Sequence, residues 1–458
     1  MPREPRGRET SQLAGSKAGV TNNSELRRSN HRRSFGFHFR HATRTRAITV
    51  YKLKMQTLST VLLRPGEADR VVAGHPWIYH ASILRLTEPA ADGAIVQVKD
   101  HRQRFLGIGF YNSKSKIQVR LIAGERVEID QAFFEERIRG ALALRQKHLR
   151  GATSFRVVNA ESDFLSGLII DKYEDVLVMQ TSALGMDQRK GMIVGALESI
   201  FAPRAIVERN EMASRKFEGL SNANGVLEGD IGSGTDALKT VDVNGLHFAV
   251  DVLGGHKTGF YLDQQMNYRL VGELAGGANV LDCFTFLGGF ALHAARAGAV
   301  QVHAIDQSAD IITAAARNAA ANGLAHKCTF EAANVFDWLK AQTATRPHEK
   351  VIPRFDLIIL DPPSFTRNRA AIPDALRGYK EIHLRALKLL KPGGTLATFC
   401  CSHHIDAATF QHVILEAAYD AHRILRRVAI YSQAPDHPII PVIPETEYLK
   451  GFAFEVAR

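Results

Sequence analysis

Apolar positions change their period twice along the chain. Beyond residue 55, short β-prone runs such as "AIVQVKD", "RFLGIGFY" and "KIQVRLIA" are separated by turn residues, which predicts an all-β module of barrel type over residues 56–128. Helical spacing follows in "DQAFFEERIRGALALRQKHL" and "GMIVGALESIF", with a hairpin in "GLIIDKYEDVLVMQT" and a strand in "AIVERN". These elements form a small α+β module over residues 129–238, ending at the turn-rich "DIGSGTD". From about Val241, within a third module over residues 240–458, strand and helix alternate strictly. Five apolar strands, "NVLDCF", "QVHAID", "CTFEAA", "FDLIILD" and "GTLATFC", are separated by helices such as "GGFALHAARAG" and "ADIITAAARNAAANG". The pattern predicts a multidomain α/β protein with a mostly parallel sheet covered on both faces, and ligands at the carboxyl ends of its strands.

Composition bounds the setting. With 458 residues, 45% of them hydrophobic, the chain can bury more than one core. Its four cysteines, Cys283, Cys328, Cys400 and Cys401, are too few and too irregularly spaced for a disulfide framework, and no secretory signal opens the chain; a reducing, cytoplasmic setting is expected. The most apolar region, residues 280–305, is interrupted by Asp282, His293, Arg296 and His303, short of the roughly 18 uninterrupted apolar residues of a membrane helix. A soluble protein is expected.

The net charge of +11 is unevenly spread: 13 of the 58 basic but only 3 of the 47 acidic residues lie in positions 1–54, giving that segment +10 and the remainder +1. Any RNA binding by the folded body must therefore use a local patch. Residues 1–54 read as a disordered basic leader, Arg- and Ser-rich and without apolar periodicity. A misassigned start, with translation beginning at Met55, is the simplest account; an RNA-binding tail and a transit peptide are the alternatives.

The strand ends carry the chemistry. "LDCFTFLGGF" places Asp282, Phe284 and the pair Gly288 and Gly289 at a strand-to-helix turn, where small residues let backbone approach a ligand. Asp306 ends the next strand 24 residues after Asp282, close to the interval at which an acid meets a ribose hydroxyl, so a nucleoside-bearing cofactor is the natural occupant. Neither the dinucleotide fingerprint nor a Walker lysine is present, which weighs against dehydrogenase and NTPase readings. In "LIILDPPSF" two prolines make a rigid turn with few backbone donors, leaving Asp361 to face a planar heterocycle. "TLATFCCSHH" delivers Cys400 and Cys401 beside the same crevice. Each feature also has a plain packing or turn role. Adjacent cysteines followed by adjacent histidines do not have the spacing one tetrahedral ion requires, so no metal is expected.

Together "DCFTFLGGF", Asp306, "DPPSF" and "FCCSHH" resemble the class I S-adenosylmethionine-dependent methyltransferases, with their Rossmann-like, mostly parallel seven-stranded sheet. More closely, the chain resembles the large-subunit ribosomal RNA cytosine-C5 methyltransferases that carry an N-terminal PUA domain. "GHPWIY" looks like that family's PUA segment, "TGFYLDQQ" like its segment before the cofactor strand, "RGYKEI" like its helix after the Pro-Pro turn, and "DHPIIP" with "YLKGFAFEV" like its closing hairpin. The resemblance implies S-adenosylmethionine as cofactor. Phe260, Asp263 and Gln264 would close its site, Asp282, Phe284 and Gly288 would cradle the methionine end, Asp306 would bind the ribose, and Asn334 with Val335 would flank the adenine. Asn334 departs from the aspartate common there, but its amide oxygen could accept from the adenine amine.

The family places its nucleophile immediately before the serine, which selects Cys401. A thiolate adding to C6 of cytosine enriches C5, which takes the methyl group; loss of the C5 proton then expels the enzyme, and Asp361 would hydrogen-bond N3. His403, His404 and the start of the helix "DAATFQHVILEAAYDAH" are candidates to favour the thiolate. Strand alternation turns Cys400 away from Cys401 into the core. Since Ser364 follows the Pro-Pro turn, where some relatives use a second cysteine, no base is assigned to the C5 proton. Large-subunit ribosomal RNA is the implied partner, with no membrane; a homodimer is compatible with the sequence. Trp77, Arg64, Arg70 and Lys99 could grip RNA, or Trp77 could be core and the cations ordinary surface. Methylation of guanine within the same fold and a non-catalytic ribosome-assembly role are the rival readings. "FCCSHH" argues against the first, and the combination of Asp282, Asp306, Asp361 and Cys401 against the second.

Overall fold

A computed structural model describes residues 58–457 except 233–237, 256–257, 347–349 and 367. The expected basic leader lies outside the described residues. The first sheet contains β1 (Thr60–Leu63), β2 (Trp77–Tyr79), β3 (Ile83–Leu86), β4 (Ile95–Lys99), β5 (Phe105–Tyr111) and β6 (Ile117–Ala123) in the order β2-β6-β5-β4-β1-β3, with the short helix α1 (Asp69–Val72) between β1 and β2. Helix α2 (Gln131–His148) comes next, started by the Asp130 carboxylate, which accepts from Phe133 N at 2.9 Å.

A second sheet, ordered β11-β10-β9-β8-β7, is built from β7 (Ser154–Asn159), β8 (Leu168–Tyr173), β9 (Val176–Thr181), β10 (Ala205–Asn210) and β11 (Ala223–Gly229). Helices α3 (Leu184–Asp187) and α4 (Lys190–Phe201) lie between β9 and β10. The sequence-predicted hairpin is β8 with β9. One apolar cluster joins Ile108, Phe110 and Ile122 of the first sheet to α2, α4 and the second sheet.

Strict strand-helix alternation begins later than the sequence predicts. A hairpin, β12 (Leu238–Val243) with β13 (Leu246–Asp251), comes first and packs in the same core as Tyr173 and Val207 of the second sheet and Leu292 of the third module. Alternation then runs through α5 (Gln265–Gly272), β14 (Asn279–Cys283), α6 (Gly289–Arg296), β15 (Gln301–Asp306), α7 (Ala309–Ala321), β16 (Cys328–Ala332) and α8 (Val335–Gln342). It continues with β17 (Phe355–Leu360), α9 (Ile372–Leu389), β18 (Leu390–Cys400), α10 (Ala407–Asp420), β19 (Leu425–Ser432) and β20 (Lys450–Val456). The seven-stranded sheet has the order β16-β15-β14-β17-β18-β20-β19, parallel except where β20 runs against β18 and β19.

The closing hairpin needs correction. Its strands are β19 and β20, and "DHPIIP", expected to be one of them, lies in the long connection between the two. Proline cannot supply ladder donors there, whereas "LRRVAIYS" can form an edge strand with arginines facing out. Strands β14 and β17 are buried on both faces by two separate apolar clusters, as a doubly covered parallel sheet requires. Among the described residues no helix is long and apolar enough to cross a membrane.

Candidate active site

A cavity of about 610 Å³ opens at the carboxyl ends of β14, β15, β17 and β18 and is bordered by Tyr261, Asp263 and Gln264 on one side and Tyr448 and Leu449 on another. Of the sequence-predicted residues it brings together Asp263, Gln264, Phe284, Asp306, Asn334, Val335, Asp361 and Cys401. Phe260, Asp282 and Gly288 do not line it.

Its floor is the loop from β14 to α6. Phe284 (φ 65°), Phe286 (φ 50°) and Gly288 (φ 89°) all adopt left-handed backbone, which costs a non-glycine residue on the order of 1–3 kcal/mol and needs support from around it. The support is visible: Thr285 N donates to Ile305 O at 3.0 Å and Phe286 N to the Asp306 carboxylate at 3.1 Å. The other Asp306 oxygen accepts from Ser308 N at 3.2 Å, so this carboxylate is fixed by the loop it supports. Gly288 serves as the turn into α6; a side chain there would meet Leu292 at 2.7 Å.

Asp282 lies beneath the loop, fully buried, accepting from Thr285 Oγ1 at 2.6 Å. Burial, with the Asp306 charge adding to it, pushes its carboxyl up to about 7. Among the described residues its Oδ1 has no hydrogen-bond partner, nor does the buried Nε2 of Gln264. Gln264 lines the cavity, so its leftover donor suits a ligand carboxylate, whereas Asp282, sealed beneath the loop, supports the loop from below. Asp306 suits ribose hydroxyls, and Val335, Phe336 and Ile311 provide apolar walls for a planar ring.

Asn334 is not placed as expected. Its Oδ1 accepts from Phe336 N at 2.9 Å and Asp337 N at 3.3 Å, capping α8. With both lone pairs of that oxygen occupied, the amide nitrogen is the group left for a ligand, and it suits a ring nitrogen rather than an amine. Phe260 is likewise redirected. Its ring packs in the core against Phe248 and Tyr268, and the residue that reaches the cavity is its neighbour Tyr261. Burial, then the charges of Asp361, Asp263, Cys401 and Asp306, hold the Tyr261 hydroxyl well above the usual phenol range; its ring meets Phe286 edge-on at 4.9 Å.

The second wall joins the Pro-Pro turn to the end of β18. Cys401 Sγ lies 4.0 Å from Pro362 O, the carbonyl next to Asp361. A hydrogen bond between the buried Thr366 and Ser402 hydroxyls ties the two segments together, and Ser364 Oγ donates to Thr366 O at 3.1 Å. Cys400 is fully buried on the opposite face, in the cluster that holds Tyr379, and burial raises its thiol pKa.

The expected tuners of the thiol are rearranged. His403 lines the cavity beside the Tyr448 ring, and burial, Lys450 and His404 all disfavour its imidazolium form. The Asp406 carboxylate caps the start of α10, accepting from Thr409 N at 2.7 Å. Lys450 is the cation nearby: its Nζ donates to Ser402 O at 2.6 Å and Ile405 O at 2.7 Å, spanning the loop that leaves Cys401. Tyr448 donates to Asp263 Oδ2 at 2.8 Å. Sequence reasoning missed Tyr261, Tyr448 and Lys450, although all three lie in segments singled out there. Extended-strand alternation says nothing about parity in an irregular loop.

Trp77 is a docking residue in this structure. Its indole donates to Glu161 at 2.8 Å and the Arg120 guanidinium lies over its ring. Arg64 is exposed, Lys99 is half-buried, and Arg70 pairs with Glu445 at 3.0 Å. Among the described residues no group of three or more His, Cys, Asp or Glu side chains could hold a metal ion.

A family model described as a PUA-like domain matches residues 61–123, and one described as an S-adenosylmethionine-dependent methyltransferase matches residues 227–449. The ribosomal RNA large subunit methyltransferase I of Shewanella amazonensis is 40% identical over 400 residues, covering 86% of this chain and 99% of the relative. The protein of that name from Klebsiella pneumoniae is 36% identical over 400 residues, covering 86% and 98%. Among solved structures, a candidate S-adenosylmethionine-dependent methyltransferase from Streptococcus mutans gives a TM-score of 0.72 at 20% identity, covering 87% of this chain and all of that one. A candidate methyltransferase solved with S-adenosylhomocysteine gives 0.73 at 20% identity, with the same coverage. These two likenesses are of fold.

Proposed function

Because the chain belongs to the ribosomal RNA large subunit methyltransferase I family and carries an S-adenosylmethionine-dependent methyltransferase domain, we propose that it methylates carbon 5 of a cytosine in large-subunit ribosomal RNA. The observation that carries this reading is the approach of the Cys401 thiol to the Asp361 turn, on the wall of the cofactor cavity. In this reading residues 56–128 capture RNA, residues 129–238 brace the cofactor site and residues 240–458 do the chemistry, in a cytoplasmic setting.

S-adenosylmethionine, when bound, supplies an electrophilic methyl group. Asp306 takes the ribose hydroxyls, Val335 and the Asn334 amide nitrogen the adenine, and Gln264 and the loop over Asp282 the methionine end. Asp263, fixed by Tyr448, and Tyr261 close the site. The Cys401 thiolate adds to C6 of an extruded cytosine, moving electron density to C5, while Asp361 hydrogen-bonds N3 and stabilises the adduct. Once C5 carries the methyl group, loss of its proton restores the ring double bond and expels the cysteine.

Incubating the protein with labelled S-adenosylmethionine and unmodified ribosomal RNA should yield 5-methylcytosine. A 7-methylguanine product would overturn the cysteine mechanism, and RNA binding without label transfer would overturn the enzyme reading. Cys401→Ala should lower turnover by about 10³-fold or more with cofactor affinity unchanged, as loss of a covalent nucleophile does; unchanged turnover would remove Cys401 from this role.

A further inference from the structure

We propose that Glu445 is a positioning residue through which the PUA-like module sets the geometry of both the cofactor cavity and the Cys401 loop. Glu445 sits in the short turn Pro444–Thr446, between "DHPIIP" and β20. One of its carboxylate oxygens takes Arg70 Nη2 at 3.0 Å and the other takes His75 Nε2 at 3.0 Å. His75 is fully buried; its Nδ1 accepts from Trp77 N at 3.2 Å and its Nε2 also lies 2.5 Å from Arg70 Nη2, so Arg70 and His75 form one cluster around the Glu445 carboxylate. Both partners belong to the first sheet's module, and His75 and Trp77 lie within "GHPWIY".

The chain leaving Glu445 towards β20 is short and stiff. Gln433 Nε2 donates to Thr446 O at 2.8 Å, and its Oε1 accepts from Tyr448 N at 3.2 Å. Tyr448, three positions beyond Glu445, holds Asp263. Lys450, five positions beyond, holds the carbonyls of Ser402 and Ile405. A single braced segment thus runs from the PUA-like module to both walls of the cavity. Arg70 is 43% exposed and therefore accessible to a phosphate of the bound RNA strand while it contacts Glu445. This inference deepens the functional reading above, and its cofactor arm does not depend on Cys401 being the nucleophile.

Glu445→Gln in the full chain retains shape and removes the charge that Arg70 and His75 hold. Three quantities decide the matter: S-adenosylhomocysteine affinity by calorimetry, the rate of Cys401 alkylation by iodoacetamide located by peptide mass, and kcat against KM for unmodified ribosomal RNA. Expected are about tenfold weaker S-adenosylhomocysteine binding, slower alkylation and about tenfold lower kcat, with the KM for RNA within about threefold of the parent; a sub-ångström displacement of reacting groups has effects of this size. Glu445→Asp should restore part of each. A rise confined to the KM for RNA would overturn the proposal, because it would mean that Glu445 only docks the module. If Glu445→Gln does not fold, Arg70→Met supplies the same test on a half-exposed partner, and unchanged S-adenosylhomocysteine affinity there overturns it. Should Cys401→Ala remain active, the nucleophile reading falls, and the S-adenosylhomocysteine measurement still judges Glu445.

Discussion

Asp282 is a fully buried carboxyl under a strained loop, with one oxygen bonded to Thr285 and the other without a partner among the described residues. Burial raises its folded-state pKa to about 7, whereas an unfolded chain releases that proton near pH 3.9. The folded state therefore binds the proton more tightly. Asp282 is neutral and without penalty at pH 4, and stability falls as pH rises towards 7, by up to about 1.4 kcal/mol per unit, then levels off. Asp282→Asn should flatten that slope; chemical denaturation at pH 5, 6, 7 and 8 without cofactor would measure it, and an unchanged slope would count against the assignment. Individual residues were only partly legible in the sequence. Cys401 facing the cavity and Cys400 facing the core follow from strand alternation, because the last part of β18 pairs regularly up to Cys400 and Cys401 follows it directly. Tyr261 displacing Phe260, and Asn334 spending its oxygen on a helix cap, depend on loop and cap geometry that spacing does not encode.

Among elements, the turn after β17 and the end of β18 behave as one unit. The Thr366 and Ser402 hydroxyls are both buried and bonded to each other. Thr366→Val removes one partner and strands the other, at a cost of about 1–3 kcal/mol, and should free the Cys401 loop from the Asp361 turn. Lower thermal stability and roughly tenfold lower kcat are expected; wild-type kcat with lowered stability would show the tie to be structural only. Strands β14, β15, β17 and β18 were legible because strands inside a parallel sheet are almost continuously apolar, and the edge strand β16 because it falls between two helical runs. Strand β19 was not, since an edge strand bearing Arg426 and Arg427 outward has neither that run nor clean alternation. Hairpin β12–β13 carries a local signal of its own, an Asn244–Gly245 turn with left-handed backbone between alternating apolar residues, which lies outside the run of strand-helix alternation.

At the scale of the molecule, neighbouring sequence-predicted modules share apolar cores, and the second and third also share a buried polar network. Arg156 on β7 makes a two-pronged pair with Asp171 on β8, at 2.8 and 2.9 Å, and Asp171 also takes the Thr258 hydroxyl at 2.6 Å. Tyr173 receives Phe260 N at 3.1 Å, while Asp436 receives Arg156 N and Gln265 Nε2, each at 2.9 Å. The central sheet thereby holds both segments that border the cavity. Asp171→Asn leaves the Arg156 charge without its counter-ion and should destabilise the protein by about 3–5 kcal/mol, with weaker S-adenosylhomocysteine binding where it still folds. Urea unfolding with and without S-adenosylhomocysteine tests both, and a loss below about 1 kcal/mol would show the pair to be replaceable.

The opposed orientation of the two neighbouring thiols also governs how the protein meets oxidants. Cys283 and Cys400 are sealed in the core, and Cys401 alone of the four reaches the cavity. A sulfenic acid formed on Cys401 therefore meets no second cysteine in the cavity that could trap it as a disulfide. Its repair depends on a small thiol entering from solution, and a second equivalent of oxidant arriving first carries it to the irreversible sulfinic state.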